Sequence, residues 1–340
     1  LRGRVAGQDF AMDVPAPPLP PAPAEPPAAP SRREVPTEAG TVSRFGGLWI
    51  DRSDWLDQLA ARHRSGAVDE ATTLQIFRFV RDGYLVLPGA VAAADVAALN
   101  ADIERVWADP PAGMLMETFE PDGKMKYIPP ELRYRDGTTK LLDLYNASAI
   151  AQTVTAAPAC MRFLSAIFGD RPKAFQQLTF WNGSQQAMHK DTAYVKVASN
   201  KLAIAATWLA LEDVVPGAGE LEYFAGSHRA PDFAFGGVSK WMDGFTGEHD
   251  RFLASLHDDA TRLGHTKSRF HGRAGDVLVW HADLAHGGSK ITTPGATRRS
   301  LVTHFTGARE VPFYCRETPR AEHVAGDCVF VSQYGTPFGA

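Results

Sequence analysis

Hydrophobic positions change their period along this chain, from helical spacing in the first half to strand-like alternation in the second. In the first half, apolar residues recur three or four positions apart, as on one face of an amphipathic helix. Leu56, Leu74 and Phe77 are assigned to these apolar faces. Asp82-Gly83 marks the end of one helix, and 84–89 is predicted as a short strand and turn. The predicted helices cover about 51–59, 69–81, 92–107 and 147–168, the last broken near Pro158.

The second half, from Lys173 onward, has the alternation and the turn residues that are typical of β-structure. Two segments without a clear period, 110–140 and 230–272, are predicted as irregular loops, the second with one short helix at 251–257. Helices packed outside an antiparallel β core are the architecture that this order of elements favours. The predicted strands are 175–181, 187–195, 203–211, 220–224, 276–280 and 300–306.

The N-terminal segment differs in composition from the rest of the chain. Residues 13–36 contain ten of the 24 prolines, interleaved with alanine. Proline has no amide donor and favours an extended chain, so this stretch cannot form a hydrophobic core. A docking motif for an aromatic-lined groove is the alternative to a disordered tail. The sequence predicts a disordered tail over 1–44 and a single domain over 45–340.

Composition and charge exclude several classes of protein. The net charge of −4 and the pI near 6.3 provide no electrostatic footprint for nucleic acid. No apolar run is long enough to predict a membrane span, and none follows Arg2 and Arg4 to form a secretory signal. Cys160, Cys315 and Cys328 are too widely spaced for a disulfide framework or a zinc site. We therefore expect a cytoplasmic protein with a small-molecule ligand; the composition carries no signal for its oligomeric state.

Two histidines and one aspartate are the candidate metal ligands. In His189-Lys190-Asp191, strand alternation would place His189 and Asp191 on the same face, where both could hold one metal ion. With His286 they make the two-histidine, one-carboxylate facial triad of non-haem Fe(II), which leaves coordination positions open. A second pair, His281-Ala282-Asp283, is followed by His304 after too few strands to close such a site. We therefore predict the first pair, and a structural role for His281.

An arginine after the second ligand is the candidate anion anchor. Arg298 lies between His286 and the strand predicted at 300–306. A guanidinium group binds a carboxylate through two parallel hydrogen bonds and stays charged when it is partly buried. Arg298 is therefore predicted to bind the remote carboxylate of a 2-oxoglutarate co-substrate. Arg299 is the alternative, because strand alternation turns only one of the two side chains inward.

Five segments, in the same order along the chain, are similar to enzymes of the phytanoyl-CoA dioxygenase (PhyH) type. The resemblance covers roughly residues 75–307 and implies a mainly β fold with flanking α-helices, namely a double-stranded β-helix (jelly roll, cupin-like). Each segment is a weak signal by itself, and five in register are specific. The segments are 79–90, 189–191, 208–213, 226–228 and 275–305.

The same resemblance implies the cofactors and the residues that bind them. It implies Fe(II) held by His189, Asp191 and His286, with O₂ and 2-oxoglutarate as co-substrates. Carried onto this chain, it makes Arg298 the 2-oxoglutarate anchor and places Trp208 and Ser289 where they contact the co-substrate. The implied activity is a dioxygenase that hydroxylates an aliphatic C–H of an acyl-CoA, an amino-acid-like compound or a secondary metabolite, producing succinate and CO₂.

Alternative outcomes on the same fold are desaturation or cyclisation, and a non-catalytic module that binds a metal or a ligand. The complete ligand set with its arginine favours an enzyme, and the carboxylate of Asp191 disfavours a halogenase.

The irregular segments 114–140 and 230–272 are predicted to cover the open end of the barrel, because long loops in compact domains are often functional lids. Tyr127, Trp241 and Arg269 are the predicted substrate contacts.

Overall fold

The chain divides into two compact units, Leu1–Glu34 and Val35–Ala340. In the first unit, two antiparallel strands, β1 (Arg2–Val5) and β2 (Gln8–Ala11), pair with each other, where no strand was predicted. The rest of the predicted tail up to residue 42 lies outside the described residues, so its disorder stays a prediction. The computed structural model describes residues 2–5, 8–11, 43–111, 114, 116–119, 125–128, 139–198 and 200–332.

The helices of the second unit begin and end at residues whose local chemistry favours those ends. The Asp69 carboxylate accepts a hydrogen bond from the Thr72 amide at the start of the second helix, and Gly83, with φ of 79°, ends it. Pro158 is the first residue of the fifth helix, so the predicted break is confirmed. The helices are α1 (Trp55–Arg64), α2 (Glu70–Asp82), α3 (Ala93–Ala108), α4 (Ala149–Thr155), α5 (Pro158–Phe168), α6 (His249–Leu263) and α7 (Phe313–Glu317).

The strands form a large sheet and a small one. The strands of the second unit are β3 (Tyr84–Leu87), β4 (Met116–Phe119), β5 (Met125–Ile128), β6 (Lys140–Leu142), β7 (Pro172–Phe180), β8 (Ala205–Ala210), β9 (Leu221–Phe224), β10 (Lys267–Phe270), β11 (Val277–His281), β12 (His286–Gly288), β13 (Ser300–Gly307), β14 (Glu322–Ala325) and β15 (Cys328–Val331). The large sheet has the strand order β3-β11-β8-β13-β7-β6-β4-β5, with a hairpin of β14 and β15 attached to β7. The small sheet has the order β10-β9-β12.

The two sheets enclose one core; helices α1 to α5 cover the outer face of the large sheet, and α6 packs against Phe224 of the small sheet. Strand alternation separates these layers, because neighbouring residues of one strand point to opposite faces. On β11, for example, Leu278 and Trp280 pack inside the barrel with Tyr223, whereas Val279 packs outside with Phe79 of α2. The predicted jelly roll with flanking helices is confirmed.

Two predicted loops contain regular structure. Strands β4 and β5 lie within 110–140, β6 begins at its last residue, and the three extend the large sheet beyond β7. The segment 230–272 contains the 15-residue helix α6 and strand β10 in place of one short helix. Strands β4 to β6 are decided by their pairing with strands distant in sequence. A short strand with little alternation has no local sequence pattern that predicts such pairing.

Three residues assigned to apolar helix faces are exposed instead. Leu56 and Leu74 are each 53% exposed, and Phe77 is 45% exposed with its ring against Trp55. The helices bury a narrower stripe than their apolar content suggests, because only one face of each contacts the sheet. No helix in the described part of the chain combines the length and apolar character that crossing a membrane requires.

Candidate metal centre

The three predicted metal ligands lie together beside the small sheet. The backbone of His189 pairs with that of His286 at the start of β12, with N–O distances of 2.7 and 2.9 Å. Ligand atoms of His189, Asp191 and His286 all lie within 4.8 Å of one another, and all three residues are buried. Within the described residues, this is the one such group of histidine, cysteine and carboxylate side chains.

Asp191 reaches this position through a turn and not along a strand. The predicted strand 187–195 is wrong: only His189 makes an isolated bridge, and Asp191–Ala193 form a 3-10 turn. The Asp191 carbonyl accepts hydrogen bonds from the amides of Tyr194 (2.9 Å) and Val195 (2.8 Å). Strand alternation was therefore the wrong reason for the spacing of the H-x-D pair. The chain turns directly after His189, and the turn directs the carboxylate toward both imidazoles.

Both imidazoles are oriented by hydrogen bonds on the side away from the centre. His189 Nδ1 lies 2.8 Å from the Ala187 carbonyl oxygen, and His286 Nδ1 lies 2.9 Å from that of Leu284. A carbonyl oxygen can only accept, so each Nδ1 carries the proton and each Nε2 presents a lone pair. This arrangement is common around metal-binding histidines.

The two oxygens of the Asp191 carboxylate make different contacts. Its Oδ2 accepts a 2.6 Å hydrogen bond from the Trp280 indole. Its Oδ1 lies 3.8 Å from His189 Nε2 and 3.5 Å from His286 Nε2. One carboxylate oxygen and two imidazole nitrogens therefore face a common point.

The electrostatics suit a divalent metal ion. Burial, together with the neighbouring His286, lowers the pKa of His189 to about 3, so this ring is neutral at neutral pH. Burial alone would raise the pKa of Asp191, but the facing His286 and His304 hold it well below its usual range. Metal coordination requires a neutral imidazole and an ionised carboxylate of this kind. The donor set fits Fe(II).

Arg298 lies in the same cavity, which has a volume of about 60 Å³. Only 2% of the residue is exposed, and its guanidinium contacts the rings of Phe180 and Trp208 at 5.9 and 5.4 Å. One terminal nitrogen donates to the Gly219 carbonyl at 2.7 Å. Burial lowers the pKa of Arg298 to about 10, against the opposing effect of Glu220, so it stays charged at neutral pH.

This guanidinium still has hydrogen-bonding capacity to offer. Among the residues that the structure describes, its Nε has no hydrogen-bond partner and its charge makes no salt bridge. A buried charge without a partner is costly, so the site fits a bound carboxylate such as that of 2-oxoglutarate. Arg299 is placed differently: it bonds the Glu212 carboxylate at 3.1 Å and stacks on Trp181.

The two residues expected to contact the co-substrate differ in placement. Trp208 lines the cavity, and its indole nitrogen is buried without a partner in the described chain. Ser289 does not line the cavity; its hydroxyl donates to Glu220 at 2.6 Å. Burial would raise the pKa of Glu220, but this bond and the Gly217 amide lower it to about 2.

Sequence reasoning gave no site role to two polar residues that follow Arg298 on the same face of β13. Ser300 is fully buried, and its hydroxyl has no partner among the described residues. His304 lines the metal cavity, with Nε2 at 3.4 Å from Asp191 Oδ2. The two-residue period after Arg298 could have identified both, because residues two apart share a strand face.

Two predicted substrate contacts, Trp241 and Arg269, do not line the metal cavity. Trp241 is half-buried, with its ring 5.3 Å from that of Phe313. Arg269 is exposed on β10, where it bonds Glu222 at 2.8 Å. The side chain of Tyr127 lies outside the described residues, so its role stays a prediction.

The second H-x-D pair serves the structure around the centre. His281 points toward the helix layer, and its Nε2 lies 3.1 Å from Asp51 Oδ1. Asp283 accepts hydrogen bonds from Lys240 (2.6 Å) and Thr192 (2.5 Å). These contacts support the structural role of His281, which stays a prediction.

Comparison with known proteins agrees with this geometry. The family model for phytanoyl-CoA dioxygenase (PhyH) matches residues 79–300, well over half of the chain. The chain belongs to the phytanoyl-CoA dioxygenase family. This family member is also 26% identical, over 293 residues, to the ectoine dioxygenase of Stutzerimonas stutzeri (strain A1501), covering 81% of this chain and 91% of that protein.

Solved structures show the same fold. The epimerase SnoN from nogalamycin biosynthesis aligns with a TM-score of 0.54 at 20% identity, over 71% of this chain and 84% of that one. EctD from S. alaskensis with bound Fe aligns with a TM-score of 0.51 at 20% identity, over 71% of this chain and 77% of that one. With the family and the His-Asp-His site, the chain is an Fe(II)- and 2-oxoglutarate-dependent dioxygenase.

Proposed function

We propose that His189, Asp191 and His286 hold the iron and that Arg298 binds the remote carboxylate of 2-oxoglutarate. One observation carries this assignment: three buried donors converge in a cavity that also contains an arginine with an unsatisfied donor. Trp208 forms a wall for the co-substrate. Ser289 remains a co-substrate contact predicted from the sequence. Its hydroxyl would first have to break its hydrogen bond to Glu220.

The enzyme hydroxylates an aliphatic C–H of a small molecule. When bound, iron with 2-oxoglutarate and O₂ supplies an oxidant strong enough for this chemistry, and the products include succinate and CO₂. The protein orients the metal ligands through Ala187, Leu284 and Trp280, and the buried cavity limits the access of water. Desaturation or cyclisation on the same centre is distinguished by the mass of the product.

Iron binding and succinate formation test the assignment. Wild-type protein is loaded anaerobically with Fe(II), and metal per folded protein is measured; succinate is then measured with a metabolite panel that includes ectoine and acyl-CoA thioesters. His189→Ala, Asp191→Ala and His286→Ala should each lose iron binding and turnover while the circular dichroism spectrum stays native. A variant that keeps wild-type turnover would contradict its role as a ligand.

The second H-x-D pair provides the matched control. His281→Ala removes an equally buried imidazole that faces the helix layer, so iron per folded protein should equal that of wild type. Loss of iron in His281→Ala but not in His189→Ala would transfer the assignment to the second pair.

Arg269 and Trp241 remain proposed substrate contacts. A cytoplasmic location remains a prediction that the three free cysteines support.

A further inference from the structure

A second cavity of about 160 Å³ is lined in part by Tyr194, whose ring contacts that of His189. Its lining includes Gln176, Tyr194, Lys196, Phe313 and Tyr314, which combine aromatic walls with amide, hydroxyl and ammonium groups. Pockets that bind small molecules have this composition of apolar walls with a few polar groups. The cavity is therefore a candidate substrate site.

Two contacts place this cavity next to the reacting centre. Gln176 on β7 is the cross-strand partner of His304 on β13, whose Nε2 lies 3.4 Å from Asp191 Oδ2. The Tyr194 ring packs edge-on against the His189 ring, with centroids 5.7 Å apart. A molecule in this cavity would be separated from His189 by the Tyr194 ring. Gln176 and His304 lie between the cavity and Asp191.

His304 offers hydrogen bonds at the boundary between the two cavities. It is 4% exposed; within the described part of the chain Nδ1 has no hydrogen-bond partner, and Nε2 has only its 3.4 Å contact with Asp191 Oδ2. A buried ring nitrogen without a partner costs stability unless a ligand or water completes it. This observation indicates a polar ligand between the metal and the second cavity.

Lys196 places a positively charged group in the lining of the second cavity. Its ammonium lies 5.3 Å from the centroid of the Phe313 ring and 6.0 Å from that of Trp241, and it bonds the carboxylate of Asp243. The Asp243 side chain is 62% exposed, whereas that of Lys196 is 21% exposed. An exposed carboxylate is weakly held, so a ligand carboxylate can replace it.

The segment between β9 and β10 packs beside this site through residues that neighbour the cavity lining. The Met242 amide donates to the Ala193 carbonyl at 3.0 Å, directly after the Asp191 turn. The Tyr194 hydroxyl lies 2.8 Å from His249 Nε2 at the start of α6. Trp241 is thereby held beside Lys196, which agrees with its predicted part in substrate binding.

We propose that this cavity binds the substrate and that Lys196 recognises a carboxylate on it, so that the substrate is a small, amino-acid-like compound. The proposal rests on the function proposed above. A volume of about 160 Å³ equals roughly five times the ~30 Å³ that one water molecule occupies, which suits a compact ligand. The acyl end of an acyl-CoA has no carboxylate for Lys196.

Paired compounds test the substrate class. Acyclic and cyclic amino acids are compared with their carboxamides, with acyl-CoA thioesters as a third group. Anaerobic calorimetry with the Fe(II)- and 2-oxoglutarate-loaded enzyme measures binding, and succinate above the substrate-free level measures turnover. Binding and stimulation confined to compounds with a free carboxylate support the proposal. Equal responses to carboxamides or thioesters, or no response to any carboxylate, overturn it.

Three variants test Lys196 itself. Lys196→Met should weaken binding of the responding carboxylate at least tenfold but not binding of its carboxamide, and Lys196→Arg should restore most of it. Asp243→Asn removes the competing carboxylate and should bind the compound as tightly as wild type or more tightly. If Asp243→Asn weakens binding as much as Lys196→Met, the pair is structural and the proposal fails.

A control and a basal measurement separate this proposal from the proposed function. Lys201→Met removes a lysine that contacts Trp241 at 5.1 Å but does not line the cavity, so binding should not change. If wild-type enzyme forms no succinate with any compound and none without substrate, the proposed function fails. If substrate-free succinate forms but carboxylates have no advantage, only the substrate assignment fails.

Discussion

Asp191 shows how one side chain depends on its neighbours for a chemical task. Its Oδ1 faces the two imidazoles, while Oδ2 accepts the Trp280 indole hydrogen bond at 2.6 Å. A carboxylate held at one oxygen presents the other in a fixed direction, which lowers the cost of ordering it on metal binding. Trp280 is therefore a positioning residue for the iron site.

Trp280→Phe should lower Fe(II) affinity by about 10–100-fold, the usual cost of losing a group that orients a metal ligand. The ring packing is largely kept, so we expect a native melting transition. Anaerobic titration with Fe(II) measures the effect. Trp49→Phe is the matched control, because its indole donates at 2.9 Å to the Ala166 carbonyl, away from the centre. Equal iron affinity in wild type and Trp280→Phe would contradict the positioning role.

Arg298 and Arg299 provide a paired test of the co-substrate anchor. Removing one partner of a buried charge pair costs roughly 3–5 kcal/mol, so Arg298→Ala should raise the KM for 2-oxoglutarate by about 100-fold or more. Arg299→Ala should change it little, because that side chain bonds Glu212 outside the cavity. Succinate formation at varied 2-oxoglutarate measures both. The reverse order of effects would show that Arg299 is the anchor.

At the scale of elements, one buried lysine joins the segment between β9 and β10 to the metal centre. Lys240 donates at 2.6 Å to Asp232 and to Asp283, and Asp283 in turn accepts from Thr192, the neighbour of Asp191. The facing carboxylates outweigh the effect of burial and raise the pKa of Lys240, which is 3% exposed. This connection holds the segment beside the Asp191 turn.

Lys240→Met should reduce the free energy of unfolding by roughly 3–5 kcal/mol, because it removes the cation that bonds the buried Asp283 and the half-buried Asp232. Urea denaturation measures the loss. Arg262→Met is the control: it removes the cation of an exposed pair with Asp259, and such pairs contribute little. A Lys240→Met protein as stable as wild type would show that the network does not hold this segment.

At the scale of the whole molecule, we expect the first unit to be dispensable. Deleting residues 1–34 should leave the melting temperature and succinate formation unchanged, because that composition offers few apolar side chains for packing. Phe45→Ala in the full chain provides the contrast. Phe45 is 6% exposed, and losing a buried phenylalanine ring costs roughly 3–5 kcal/mol. A large drop in melting temperature on deletion would contradict the prediction.

Features that depend on local chemistry were predictable from sequence. Asp69 and Pro158 mark helix starts because a side-chain acceptor and a missing amide proton act on the adjacent turn. His189, Asp191 and His286 were found because few residue types bind iron, and their order along the chain reduced the choice further. The same three residues and their order along the chain indicated both the fold and the iron cofactor.

The remaining features depend on contacts between residues far apart in sequence. The choice between Arg298 and Arg299 depends on which side chain points into the barrel. The Ser289 hydroxyl donates to Glu220, which directly precedes β9. Strands β4 to β6 form because the edge of β7 is available for pairing, which no local pattern encodes.

The sequence by itself determined which atoms can bind iron and that an arginine accompanies them, because donor chemistry belongs to residue types. Only the tertiary structure decided what lies around them. The pairing of Gln176 with His304, and the position of Lys196 against Phe313, arise from strand register and from chain folding over the barrel. Substrate choice therefore depends on distances between elements, which the order of residues does not contain.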